Sequence, residues 1–143
     1  MTASVEVAAS EQTRARYPDN DGYVERDGVR VFYEVYGHGS PTVFLLPTWS
    51  IIHSRHWKMQ IPYLARHFRV LTFDGRGNGK ADRPSGIAAY TEWEFAEDSL
   101  AVMDATGTET AVVVGFSCGA LWGTVLAADH PDQRVHGHDR HAR

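Results

Sequence analysis

Three apolar runs, Thr42-Val43-Phe44-Leu45-Leu46, Val70-Leu71-Thr72-Phe73 and Ala111-Val112-Val113-Val114, constrain the fold of this chain more than any other feature. Each is short and nearly continuous, without the alternation of a strand that is wet on one side. Such runs suit strands buried on both faces, as in a parallel sheet covered by helices. Parallel neighbours require long crossovers, and the intervals between the runs carry helical spacing. The first interval holds Trp57, Ile61, Leu64, Ala65 and Phe68, with Pro62 expected to open or kink the main helical piece. In the second, Thr91 and Glu94 predict a capping box, Phe95, Leu100, Val102 and Met103 continue the helix, and Gly107 marks its stop. A third helix is expected from about Cys118 to His130, ended by Pro131.

Ahead of these runs, Tyr23-Val24-Glu25-Arg26 and Val29-Arg30-Val31-Phe32-Tyr33-Glu34-Val35-Tyr36 flank Asp27-Gly28, a hairpin signal. Val29, Val31, Tyr33 and Val35 share one face, which predicts a half-buried antiparallel strand. Residues 1–20 are polar and aperiodic and read as a flexible arm. Residues 21–135 read as one α/β domain, with an N-terminal hairpin followed by parallel strands and crossover helices. A further strand would be due after the third helix. Residues 136–143 instead read His-Gly-His-Asp-Arg-His-Ala-Arg, a polar His/Arg-rich tail, so the expectation is a partial fold with its later strands missing.

Composition removes several function classes. The net charge is −4 over 143 residues, which offers no basic footprint for nucleic acid or an anionic membrane. No apolar run approaches the ~20 residues of a membrane span. Cys118 is the sole cysteine, so neither an internal disulfide framework nor a multi-cysteine zinc site is expected. The first residues carry Glu6 and no basic n-region, and the chain reads as cytoplasmic. The histidines at 136, 138 and 141 lack a partner in a structured element; neither a metal nor another cofactor is expected. Gly75-Arg76-Gly77-Asn78-Gly79 alternates glycines but leads into Lys80-Ala81-Asp82-Arg83-Pro84 rather than a helix, against a dinucleotide fingerprint.

The chemistry is concentrated in Val114-Gly115-Phe116-Ser117-Cys118-Gly119, a buried strand running through G-x-S-x-G into a helix. That pattern places a serine on a sharp, strained turn, with Ser117 Oγ held out over the sheet. The Cys118 N–H, at the helix N-terminus, can face a developing oxyanion.

Here the sequence resembles the α/β-hydrolase superfamily, in its esterase-like branch, over about residues 23–135. The resemblance includes 74–84, similar to the family's D-x-R-G-x-G-x-S-x-x-P loop with Ala81 in place of serine. Asp74 and Arg76 there read as braces of a loop rather than substrate contacts. Leu45-Leu46-Pro47-Thr48-Trp49-Ser50 occupies the place of a His-Gly-X segment, with Pro47 and Thr48 in place of His-Gly. By position Trp49 would donate the second oxyanion N–H. Cys118 lies beside the elbow's centre and reads as a buried, inert thiol. His53 borders the elbow by its loop but is read as a surface or structural residue.

The resemblance implies a serine hydrolase that transfers the acyl group of a small carboxylic ester to water. It also implies the chain order serine, acid, histidine, which puts the acid and base beyond Arg143. His136 has the reach to return to Ser117 but nothing to hold it there. The chain is therefore expected to be catalytically incomplete, and its open sheet edge to favour self-association. The competing reading is a non-catalytic hydrolase-like sensor or interaction module.

Overall fold

The apolar runs do become adjacent strands. The computed structural model describes residues 14–49 and 52–131. Its hairpin comprises β1 (Asn20–Arg26) and β2 (Val29–Tyr36), joined through Asp27 and Gly28 at φ of 52° and 78°. The runs form β3 (Thr42–Leu45), β4 (Arg69–Asp74) and β5 (Val112–Val114). Sheet order is β1-β2-β4-β3-β5, with β2 antiparallel to β1 and β4, and β3 parallel to β4 and β5. The first crossover contains a 3-10 turn (Ser54–Trp57) and α1 (Gln60–Leu64). The second contains a 3-10 turn (Ile87–Tyr90) and α2 (Glu92–Ala105), and α3 (Cys118–Asp129) follows β5. Pro62 falls in the first turn of α1, where its missing N–H leaves no intrahelical bond unmade.

Both faces of the sheet are covered, which is why the runs do not alternate. Val43, Leu45, Val70 and Tyr36 pack under Trp57, Ile61 and Ala65. Phe44, Leu46, Leu71 and Phe73 pack on the other side with Val31, Val35, Val102 and Met103. Phe95 of α2 stacks on Trp122 of α3, with ring centroids 3.8 Å apart and planes within 1°, an aromatic contact that ties the two helices of that layer together. Among the described residues, no helix is long and apolar enough to cross a membrane.

Three local expectations give way to long-range contacts. β2 is not half-buried, because Phe32, Glu34 and Tyr36 on its second face are buried as well. Arg14 covers that face: its guanidinium ion-pairs with Glu34 and donates to the Tyr36 hydroxyl at 3.1 Å. Tyr36 in turn donates to Glu34 at 2.7 Å, and burial together with that carboxylate pushes the phenol's pKa up. Residues 14–20, read as part of the arm, thus hold a side chain docked on the sheet, and Asn20 already belongs to β1. Residues 1–13, and the tail at 136–143, lie outside the described residues.

The capping box is the second correction. Thr91 is the N-cap of α2, but its side chain makes no capping bond. Glu94 is drawn away by an ion pair with Arg26 on β1, and Arg76 stands 3.2 Å from the same carboxylate. Arg26 and Arg76 also share Asp98, at 3.0 and 2.7 Å. The stop at Gly107 does hold: it lies at φ 62°, with Thr108 N–H on the Met103 carbonyl and Gly107 N–H on that of Asp104. This is the paired arrangement of a Schellman cap. In the third difference, the first helical interval is broken into a turn and a five-residue helix.

Among the described residues, β5 pairs on one edge alone, and Val112, Val113 and Val114 are each half-buried. An apolar edge of this kind favours association. Sedimentation velocity over a concentration series should show reversible self-association; a strictly monomeric chain throughout would contradict it. Acid should also weaken the fold. Asp19, Asp82 and Glu94 are all held below ordinary carboxyl pKa values, Asp19 mainly by the Gly37 N–H, Asp82 by Arg30 and Glu94 by Arg26. Carboxyls lowered in the folded state contribute stability that is complete above their ordinary values of 3.8 and 4.5 and lost as pH falls through the lowered ones. Thermal melts followed by circular dichroism should show this loss in acid, with a smaller acid-dependent drop in Glu94→Gln.

Candidate active site at the strand-to-helix elbow

In a parallel sheet the loops leaving the carboxyl ends of neighbouring strands meet over one edge, where open α/β sheets bind ligands. Here those loops are 46–53 after β3, 75–86 after β4 and 115–117 after β5. β5 gives way to α3 within three residues, and the chain can turn that sharply only through an unusual backbone. Ser117 adopts φ 56° and ψ −122°, a conformation that costs a non-glycine residue about 1–3 kcal/mol. The turn is closed by Gly119 N–H on the Phe116 carbonyl and Ala120 N–H on that of Ser117, both at 3.0 Å.

The glycines on either side of Ser117 are required by contact. A Cβ on Gly115 would lie 2.4 Å from the Gly119 carbonyl oxygen, and one on Gly119 would lie 2.4 Å from that of Pro47. The second contact presses the loop after β3 against the first turn of α3. Pro47 also lies 3.3 Å from where a Cβ on Gly75 would sit, so all three loops converge on this proline.

Ser117 is exposed, and among the described residues its hydroxyl has no hydrogen-bond partner. Cys118 begins α3, and its N–H finds no acceptor among the described residues. Its thiol is free and half-buried, not buried as expected. Trp49 is 60% exposed; its carbonyl accepts from Ile52 N–H at 3.0 Å, while its own N–H has no acceptor among the described residues. The segment carrying Trp49 is fastened on both sides. Leu46 N–H donates to the Val114 carbonyl at 2.9 Å, and Trp57 Nε1–H donates to the Leu46 carbonyl at 2.9 Å. Farther along, Ser54 N–H donates to Asp74 at 2.9 Å.

Asp74 and Arg76 act as braces. The Asp74 carboxylate, 1% exposed, joins the Ser54 N–H to the Lys80 N–H, the latter at 3.0 Å. Arg76, 2% exposed, is held by Asp98 and by the Ala89 carbonyl at 2.8 Å. Sequence reasoning missed Pro47 as the meeting point and Asp74 as the tie between two loops. Gly79 was the available signal for the latter, since a Cβ there would lie 2.2 Å from the Asp74 carboxylate.

Three of the five described histidines are bonded elsewhere. His53 Nδ1 accepts from Arg55 N–H at 3.2 Å, which leaves the proton of the neutral ring on Nε2. His56 Nδ1 lies 3.1 Å from the His53 carbonyl, and burial lowers this ring's pKa. His130 meets Glu97 at 2.9 Å at the far end of α3. None of them bonds to Ser117, and His136 lies outside the described residues. Among the described residues no three candidate ligands gather to hold a metal.

Comparison with known proteins gives this arrangement a context. Residues 38–137 match a family model described as the alpha/beta hydrolase fold. The RutD protein of Caulobacter segnis, named as a carbamate hydrolase, is 36% identical over 107 residues, covering 72% of this chain and 39% of that protein. An epoxide hydrolase variant from Vigna radiata superposes with a TM-score of 0.72 at 30% identity, over 80% of this chain and 36% of that one. The enol-lactonase of Burkholderia xenovorans gives a TM-score of 0.70 at 32% identity, over 78% and 43%. The chain spans about two fifths of the length of several curated relatives that it matches.

The Gly119–Pro47 contact sets a clear expectation. Gly119→Ala should destabilise the chain by about 1–3 kcal/mol in urea, because the atom it collides with is backbone. Ser117→Gly should instead be neutral or stabilising, because the left-handed backbone no longer opposes a side chain.

Proposed function

The chain belongs to the alpha/beta hydrolase fold family, and from that premise we propose that Ser117 is the nucleophile of an acyl transfer to water. The observation that carries this reading is the backbone of Ser117, which holds an exposed hydroxyl, unpartnered among the described residues, beside the start of α3. Strain of this kind persists where the surrounding contacts enforce it, as Gly115, Gly119 and Pro47 do here.

In the proposed reaction Ser117 Oγ adds to the carbonyl carbon of a carboxylic ester. The resulting oxyanion is met by the N–H groups of Cys118 and Trp49. Collapse expels the alcohol and leaves the acyl group on Ser117, from which water releases it. The names of the relatives mention a carbamate, an epoxide and a lactone. Two of these present a carbonyl carbon, and a pair of backbone donors beside a hydroxyl suits a carbonyl better than an epoxide. The base that takes the serine proton, and the acid that orients it, are assigned to residues outside the described ones.

The test separates the hydroxyl from turnover. An alkyl fluorophosphonate is far more electrophilic than an ester and reacts only once, so incubation over hours in alkaline buffer lets solvent hydroxide take the proton of a positioned serine. Mass spectrometry of the treated 143-residue chain should find one adduct, mapped to Ser117 and absent from Ser117→Ala. A folded chain whose Ser117 stays unlabelled would overturn the proposal and favour a non-catalytic binding module. Turnover is a different matter, since none of the described histidines bonds to Ser117, and a serine hydrolase without its base loses on the order of a million-fold. Hydrolysis of p-nitrophenyl acetate by this chain should not exceed that of Ser117→Ala.

A further inference from the structure

The two segments that meet at Ser117 carry no formally charged side chain. Residues 43–52 and 111–128 contain no Asp, Glu, Lys, Arg or His. They do carry four of the ten large apolar side chains left exposed among the described residues: Trp49 at 60%, Ile52 at 38%, Phe116 at 64% and Leu121 at 51%. Phe116 immediately precedes Ser117, and Leu121 lies one helical turn after it. Trp49 and Ile52 close a turn on the loop that Pro47 presses against Gly119. Exposed apolar groups clustered about one reactive hydroxyl mark a ligand-binding surface more often than scattered ones do.

At the carboxyl end of β4, Asp74 and Arg76 cannot supply a countercharge. Each is buried and already bonded, Asp74 to two backbone N–H groups and Arg76 to Asp98. Turning either toward a ligand would leave a buried partner unpaired, at a cost greater than a surface contact returns. A carboxylate or ammonium placed over the rim that these two segments form would lose hydration and meet no opposite charge from them.

We infer that this site takes carbonyl substrates whose acyl part is uncharged and apolar, and that it discriminates against acyl groups bearing a charge. The inference rests on the serine reading and narrows it from esters in general to a class defined by the acyl chain. Trp49, Ile52, Phe116 and Leu121 are the surfaces that would bury that chain.

The experiment measures labelling of the whole 143-residue chain by phosphonofluoridates with ethyl, butyl or octyl chains, and by an octyl analogue ending in a carboxylate. In each reaction Ser117 Oγ forms a bond to phosphorus, fluoride leaves, and the hydroxyl proton passes to solvent. Rates are read by mass spectrometry and divided by each reagent's rate with hydroxide in buffer, which removes intrinsic reactivity. Labelling should rise about two- to fourfold for each methylene that the rim covers. The carboxylate reagent should react at least about tenfold more slowly than octyl. Phe116→Lys alters an exposed side chain and should leave the fold intact; it should narrow the gap at least about threefold by offering a countercharge. Ser117 labelled equally by neutral and charged reagents, or without regard to chain length, would overturn the inference while leaving the serine reading in place. An unchanged gap in Phe116→Lys would overturn it too. No labelling of Ser117 by any reagent would remove the serine reading, and the inference with it.

Discussion

The Pro47 carbonyl oxygen lies 2.4 Å from where a Cβ on residue 119 would sit, and this backbone contact joins two segments far apart in sequence. Glycine at 119 lets the loop after β3 settle on the first turn of α3. Glycine at 115 lets that turn begin directly above the strand. With both in place Ser117 has no relaxed backbone available, and its side chain is held outward. The oxyanion donors proposed for the site belong to the two segments so joined. Their relative position therefore depends on packing between main chains, which side-chain motion does not loosen.

The remainder of the sheet serves to keep those two segments in register. β3 lies between β4 and β5, and apolar side chains from both of its faces are buried. Charge is handled differently on the two sides of the hairpin. Arg26 and Arg76 share Asp98 and approach Glu94, bracing β1 and the loop after β4 against α2. Buried ion pairs of this kind contribute little net stability against an apolar alternative, yet removal of one member leaves an uncompensated charge. Their consequence here is specificity of docking: α2 has one placement in which all four groups are satisfied.

What could be read from the sequence follows a physical divide. The three apolar strands, the Asp27-Gly28 hairpin, the Gly107 stop and the Ser117 elbow all depend on neighbours in sequence, so short patterns carry them; the half-burial of β5 does not. Glu94 shows the limit. Its spacing from Thr91 fits a local cap, but Arg26 arrives from β1 with a full charge, and a full charge outcompetes a backbone N–H. Glu34 is similar: Tyr36 nearby donates to its buried carboxylate, but the opposite charge comes from Arg14, before the hairpin. Within the site the turn at Ser117 was legible, while the roles proposed for Cys118 and Trp49 rest on position alone. The Pro47 contact and the Asp74 tie were not, because each joins residues that only the folded sheet brings together.

The matched family region begins at residue 38, after β2 has ended. The physical unit begins earlier. β4 has β2 on one side and β3 on the other, and Arg14 seals the outer face of β2 by pairing with Glu34. A piece trimmed to the region of resemblance would strip β4 of one neighbour and bare its backbone amides along that flank. The boundary drawn by ancestry and the boundary drawn by cohesion thus fall in different places, and the scaffold under the elbow obeys the second.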